Sequence, residues 1–284
     1  MTIRKVTKDL FSEKKDSEQP KVLCTVDELG VATVTLNNPD KHNAFDDDVI
    51  ALLTTIFSNI ADNPDIRVMV LTSTGKSFCA GADLGWMKRM ADYSYQENLA
   101  DSNALARLFN VLNFMPQATI VQVQGAAFGG ALGLVSCCDI VVAANKASFC
   151  LSEVKLGLIP ATISPYVINA IGLKAARRYF LTAERFFADQ AKSIGLVDEV
   201  VDISELTSTT NAFVNTLLAN GPMAVKAAKK LALDVAHQPI DDKLIADTSD
   251  RIASIRVSDE GQEGLTSFFE KRPANWQSSD VKDN

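Results

Sequence analysis

Two histidines and five cysteines are all that the 284 residues hold of the side chains most used for metal centres and nucleophilic triads. His42 and His237 lie far apart in sequence, so a histidine-rich metal site or a Ser-His-Asp triad has little to draw on, and no metal is expected. Cys24, Cys79, Cys137, Cys138 and Cys150 form no CxxC pair, and most sit in apolar surroundings. They read as reduced core residues of a reducing compartment, with a cytoplasmic home expected. No apolar run reaches membrane-spanning length, and "MTIRKVTKDLFSEKKDSEQP" lacks the apolar core of a signal peptide. Positive charge is scarce as well. A net charge of −7 disfavours nucleic acid as a partner, although a few local Lys and Arg still suffice for an anionic ligand. The phosphate loop GxxxxGK[ST] is missing, and "GAAFGG" is a poor substitute for GxGxxG, which argues against a Rossmann dehydrogenase.

What is present is enough for a large buried core, with 47% hydrophobic and 22% charged residues. "KVLCTVDELGVATVTLN" alternates around Glu28-Leu29-Gly30 and predicts a β-hairpin. "FDDDVIALLTTIFSNIADN" has helical spacing, and Asp46, Asp47 and Asp48 suit a helix start. "IRVMVLTS", "ATIVQVQG" and "DIVVAA" read as buried strands. Residues 83–114 read as mostly helical with a break near Tyr93. Strands alternating with helices predict parallel βα units. From about residue 162 onward the pattern is almost wholly helical. The expected layout is a flexible extension over 1–20, an α/β core over 21–205 and a helical oligomerisation region over 206–284.

Two segments share one plan of strand, glycine turn and helix. The first carries Gly81-Ala82-Asp83, the second Gly129-Gly130. Glycine lets backbone approach a ligand closely, and the helix that follows presents unpaired N–H groups. Facing one point, such turns supply paired donors to a developing oxyanion; the alternative is tight helix–strand packing alone.

The stretches "LNNPDKHNAF", "SFCAGADLGWM", "GAAFGGALGLVSCCDIVVA", "SFCLSEVKLGLIPA" and "EGQEGLTSFFEKRPANW" follow one another in that order. Together they resemble the enoyl-CoA hydratase/isomerase, or crotonase, family over roughly residues 21 to 276. "CLSEVKLGLIPATISPYVINAIG" and "AARRYFLTAERF" are most similar to its bacterial 3-methylglutaconyl-CoA hydratases. The resemblance implies an α/β fold, a crotonase-like spiral of ββα units with a helical C-terminal region, assembled as a homotrimer or a dimer of trimers. It implies an acyl-CoA substrate and no separate cofactor, coenzyme A being part of the substrate. By position in the motifs, Ala82 and Gly130 match the backbone oxyanion donors. Ala80, Asp83 and Leu84 match backbone along the coenzyme, Lys41 the loop near its nucleotide end, and Lys271 a segment near the coenzyme of the same or a neighbouring subunit.

Relatives handle water with two glutamates. One matches Glu153; the other matches Gly133, where the carboxylate is missing. Glu153 is therefore the candidate general base and acid, against the bland reading of a structural carboxylate paired with Lys155. Trp86 and Tyr166 are candidates for the acyl pocket and equally for packing. Cys137 and Cys138 read as core, and His42 as a loop residue beside Lys41 that could face phosphate. The expected activity is reversible hydration of 3-methylglutaconyl-CoA. Isohexenylglutaconyl-CoA hydration and Δ3,Δ2-enoyl-CoA isomerisation are the alternatives, and RNA binding is a weak rival.

Overall fold

Leu23 to Val26 and Val31 to Leu36 alternate buried and accessible positions across Asp27–Gly30, the pattern that folds an antiparallel hairpin. The structure, a computed structural model, describes Lys8, Asp9 and residues 19–277. β1 (Lys8–Asp9) pairs with β2 (Val22–Val26), which pairs antiparallel with β3 (Val31–Leu36). Of the expected flexible extension, residues 1–7 and 10–18 lie outside the described residues. α1 (Asp47–Asp62) follows, its first turn capped by Asp46, which accepts from the Val49 N–H. The acidic run thus begins a helix, as its composition predicts.

β4 (Val68–Ser73) leads to α2 (Leu84–Met90) and α3 (Tyr95–Asn113), with the break falling at 91–94. Ser94 and Glu97 close a capping box at the start of α3, which is why the chain re-enters a helix there. β5 (Ala118–Val123), β6 (Ala126–Phe128), α4 (Ala131–Ser136), β7 (Ile140–Ala144) and β8 (Ser148–Cys150) follow in turn. A 3-10 turn over Glu153–Leu156 then precedes α5 (Ser164–Thr182), kinked at Gly172.

The C-terminal third departs from the all-helical expectation in two places. β9 (Phe186–Phe187) and β10 (Glu199–Val201) flank α6 (Ala188–Ser193). β10 adds in parallel to β7 and extends the main sheet, ordered β1-β2-β3-β4-β5-β7-β10. β9 joins a second sheet, β6-β8-β9. Two- and three-residue strands carry no readable period; their hydrogen bonds come from partners distant in sequence. Beyond them the chain is helical, with α7 (Leu206–Ala219), α8 (Pro222–Val235), α9 (Asp242–Val257) and α10 (Asp259–Glu270).

One face of the main sheet packs into the larger core with Leu53, Phe57 and Phe109, all fully buried. The other face meets Leu206, Val214 and Leu218 of α7. Central strands covered on both faces explain their continuous apolar runs. No helix among the described residues is long and apolar enough to cross a membrane.

Candidate active site

Four segments from different parts of the chain are laced together by backbone hydrogen bonds at one end of this architecture. Phe45 donates to the Gly81 carbonyl at 2.9 Å, and Asp83 donates to the Phe45 carbonyl at 3.0 Å. Cys79 and Phe128 bracket the next junction, Cys79 donating to Ala126 and Phe128 to Cys79, both at 3.0 Å. Gly129 donates to Cys150 at 2.9 Å. The two glycine turns are therefore neighbours. A Cβ at Gly81 would stand 2.8 Å from the Phe128 carbonyl oxygen, and Gly81 has φ +91°, so only glycine fits this crossing without strain. A Cβ at Gly130 would meet the Phe45 ring at 2.7 Å.

Among the described residues, neither the Ala82 nor the Gly130 N–H donates to a protein acceptor. Gly130 is the N-cap residue of α4, where helical N–H groups have no partner within the helix. Two unused amides on abutting turns are the equipment for holding a developing negative charge.

Glu153 opens the 3-10 turn and reaches back to the second glycine turn. A Cβ on Gly129 would lie 3.5 Å from Glu153 Oε1. Oε2 is buried without a hydrogen-bond partner. Burial pushes the Glu153 pKa up from its ordinary 4.5, opposed in part by its own backbone N–H. No ion pair joins Glu153 to Lys155 among the described residues, and Lys155 is exposed. The carboxylate has the setting of a base.

Gly133 faces a different environment. A Cβ there would fall 2.5 Å from Ile163 Cγ2 and 2.6 Å from Phe109 Cε1. Phe109 and Ile163 are essentially fully buried. The space beside Gly133 is thus filled by apolar side chains from α3 and the start of α5. Tyr166 lies beside this plug, its ring centroid 6.1 Å from that of Phe109, and burial raises its phenol pKa.

The remaining predicted residues spread outward from the turns. Trp86 is 3% exposed, donates its indole N–H to Asp101 at 3.1 Å, and lies 6.4 Å from the Phe45 ring. Asp83 caps α2 by accepting from the Gly85 and Trp86 N–H groups, and pairs with Lys41 at 3.0 Å. Hydrogen bonding from Lys41 lowers the Asp83 pKa, aided by the two helix amides and opposed by burial. Ala80 is exposed and donates to the His42 carbonyl, Leu84 is 81% exposed, and His42 Nδ1 stands 3.2 Å from the Ser77 hydroxyl. Lys271 ends α10 in a left-handed conformation, on the helical layer where α10 packs against α8 and α9. Burial raises the Cys137 thiol pKa strongly and pushes that of Cys138 up to about 12, so neither is a ready nucleophile.

Phe109 lies outside the quoted motifs, and the motifs that hold Asn43, Phe45 and Ile163 do not mark what those residues do. Phe45 lies behind Gly130, and Phe109 and Ile163 close position 133. Asn43, 3% exposed, pins the loop by donating to Thr74 and Ser77 and accepting from Asn38. Its neighbours "HNAF" offered the only hint: a short polar residue with φ +55° tolerates the left-handed region better than most.

Comparisons with known proteins bear on the fold and the family. The profile described as Enoyl-CoA hydratase/isomerase matches residues 27–279. An enoyl-CoA hydratase from Shewanella pealeana is 48% identical, with a TM-score of 0.87 over 90% of this chain and 96% of that one. A putative enoyl-CoA hydratase/isomerase (crotonase) from Legionella pneumophila is 45% identical, with a TM-score of 0.86 over 90% and 99% of the two chains. The short-chain-enoyl-CoA hydratase of Clostridium acetobutylicum is 32% identical over 244 residues, 85% of this chain and 92% of that relative. With its fold and nearly its whole described length matched, the chain belongs to the enoyl-CoA hydratase/isomerase family.

Proposed function

We propose that this member of the family hydrates a branched α,β-unsaturated acyl-CoA that carries a distal carboxylate, 3-methylglutaconyl-CoA giving 3-hydroxy-3-methylglutaryl-CoA. The observation that carries the reading is the single carboxylate, Glu153, beside the Gly129-Gly130 turn, with position 133 closed by Phe109 and Ile163. Glu153 takes a proton as water attacks the β-carbon. The π electrons move onto the thioester oxygen, where the Ala82 and Gly130 N–H groups hold the charge. Collapse of that enolate takes a proton at the α-carbon, returned by Glu153. Each oxyanion donor is worth about 2.7–4 kcal/mol in the transition state, and a positioned base about 10²–10⁴-fold in rate.

A hydratase with one carboxylate needs another means of orienting its water. A glutaconyl-type substrate brings one in its own distal carboxylate, which is why that class is chosen over a plain enoyl chain. The longer isohexenylglutaconyl-CoA meets the same requirement. Lys41, Ala80, Asp83, Leu84 and Lys271 are assigned to the coenzyme, Trp86 and Tyr166 to the acyl side. The homotrimer, or pair of trimers, is assigned to the C-terminal helices, where Phe268 and Phe269 are 76% and 75% exposed. Residues 21–205 then serve catalysis and 206–284 assembly, in the cytoplasm.

The closed position 133 also favours a second reading, Δ3,Δ2-enoyl-CoA isomerisation, in which one base moves a proton between the γ- and α-carbons. Thioesters with and without a distal carboxylate separate the two. Loss of the conjugated thioester absorbance with uptake of water marks hydration, whereas its gain from a Δ3 substrate marks isomerisation. Equal hydration of crotonyl-CoA and 3-methylglutaconyl-CoA would remove the reason for the distal carboxylate.

A further inference from the structure

The small sheet β6-β8-β9 sets a cation beside the catalytic turn. β6 and β8 run parallel with Phe128 opposite Cys150, while β8 and β9 run antiparallel with Phe149 opposite Phe186. One position further along that register, Arg185 falls opposite Cys150. Phe128, Cys150 and Arg185 thus lie in a row across three strands, and residues in such a row share a face. The side chains agree with the backbone, because the Arg185 guanidinium carbon lies 4.7 Å from the centroid of the Phe128 ring. Phe128 directly precedes the Gly129-Gly130 turn, and Glu153 follows Cys150 by three residues and returns to Gly129.

Arg185 is exposed and forms no ion pair or side-chain hydrogen bond among the described residues. Its sequence neighbour Glu184 is bound instead to Arg178 at 2.6 Å. The guanidinium is oriented by an aromatic face and keeps its donors free, which suits bidentate capture of a carboxylate. Burial raises the Cys150 thiol pKa, opposed by the positive charges of Lys155 and Arg185. A cation oriented beside the turn that Glu153 reaches is what a dicarboxylic substrate requires. Its distal carboxylate sits two carbons beyond the β-carbon at which Glu153 handles water.

The geometry points to Arg185 as the specificity-determining residue that pairs with the distal carboxylate of a dicarboxylic enoyl-CoA, held in place by the Phe128 ring. This assignment rests on the distal-carboxylate reading of the substrate. Its test compares kcat/KM for 3-methylglutaconyl-CoA and for crotonyl-CoA in the full-length protein, as wild type, Arg185→Gln, Arg185→Lys and Lys155→Gln.

Arg185→Gln is expected to lower the ratio of the two kcat/KM values about 10- to 100-fold, mainly through KM for the dicarboxylic thioester, the scale of a lost charged hydrogen-bond pair. Arg185→Lys should recover part of that ratio. An unchanged ratio in Arg185→Gln, with activity on both thioesters falling together or not at all, would overturn the assignment. A loss that appears in Lys155→Gln instead would overturn it as well. A wild-type preference for crotonyl-CoA marks a different failure, since it removes the substrate reading itself and Arg185's role with it.

Discussion

Burial raises the pKa of Glu153 above its ordinary 4.5 and leaves Oε2 without a partner. A folded-state pKa above the unfolded one means that ionising Glu153 costs folding free energy. The cost is absent below 4.5, grows between the two pKa values and is complete above the folded one. Glu153→Gln should therefore gain stability on the order of 1 kcal/mol at neutral pH, with the gain vanishing in acid, as read by urea unfolding across pH. The same substitution should lower kcat by about 10²–10⁴-fold. Near-normal turnover would remove Glu153 from the mechanism. In the wild type kcat/KM should fall with pH through an inflection above 4.5, because the base must be ionised to accept a proton. Gly133 makes the opposite point, since there the neighbours forbid a side chain. Gly133→Ala should cost about 1–3 kcal/mol through overpacking against Ile163 and Phe109, and Phe109→Leu in the same chain should return part of it. That a carboxylate is missing at 133 is what the resemblance of the motif implies. Only the packing shows that apolar side chains fill the space.

At the scale of elements, α2 depends on the cap that Asp83 provides to two of its amides while also holding Lys41. Asp83→Ala should destabilise by about 1–2 kcal/mol, and Asp83→Asn by less, because an amide oxygen still caps. The difference is read as the shift in unfolding midpoint. Asp83 has a lowered folded-state pKa, so its contribution is present above 3.8 and fades as pH falls through the folded value. Most elements were legible from local pattern: the hairpin at Asp27–Gly30, the acidic start of α1 and the break between α2 and α3. β9 and β10 were not, and the two cases share a cause. "FF" and "EVV" are too short to show a period, and β8 and β7 recruit them from far along the chain, Phe149 pairing with Phe186 and Val142 with Glu199. The strand missed at β9 also directly follows Arg185, which stacks on Phe128.

At the scale of the molecule, Arg67 ties the sheet to the C-terminal helices. Its guanidinium donates to the Leu218 carbonyl at 2.9 Å and the Asn220 carbonyl at 2.8 Å, and reaches Trp276 at 3.4 Å. Trp276 in turn donates to Ala219 at 3.2 Å. Arg67→Met should cost about 2–3 kcal/mol, on the scale of charged hydrogen bonds to backbone carbonyls, and should speed amide exchange at the end of α7. Unaltered exchange there would show that the helices hold without this clasp. Assembly belongs to the same scale: Phe268→Asp with Phe269→Asp should shift the proposed trimer toward monomer in sedimentation, with the fold retained. By itself the amino-acid sequence determined the alternation of strands and helices, the two glycine turns and the order of motifs, because periodicity, caps and turn chemistry act over a few residues. The tertiary structure decided what those turns face. Glu153 reaching Gly129, Phe109 and Ile163 filling position 133, and Arg185 crossing a sheet to Phe128 each join segments whose meeting depends on strand pairing and packing, which no local pattern records.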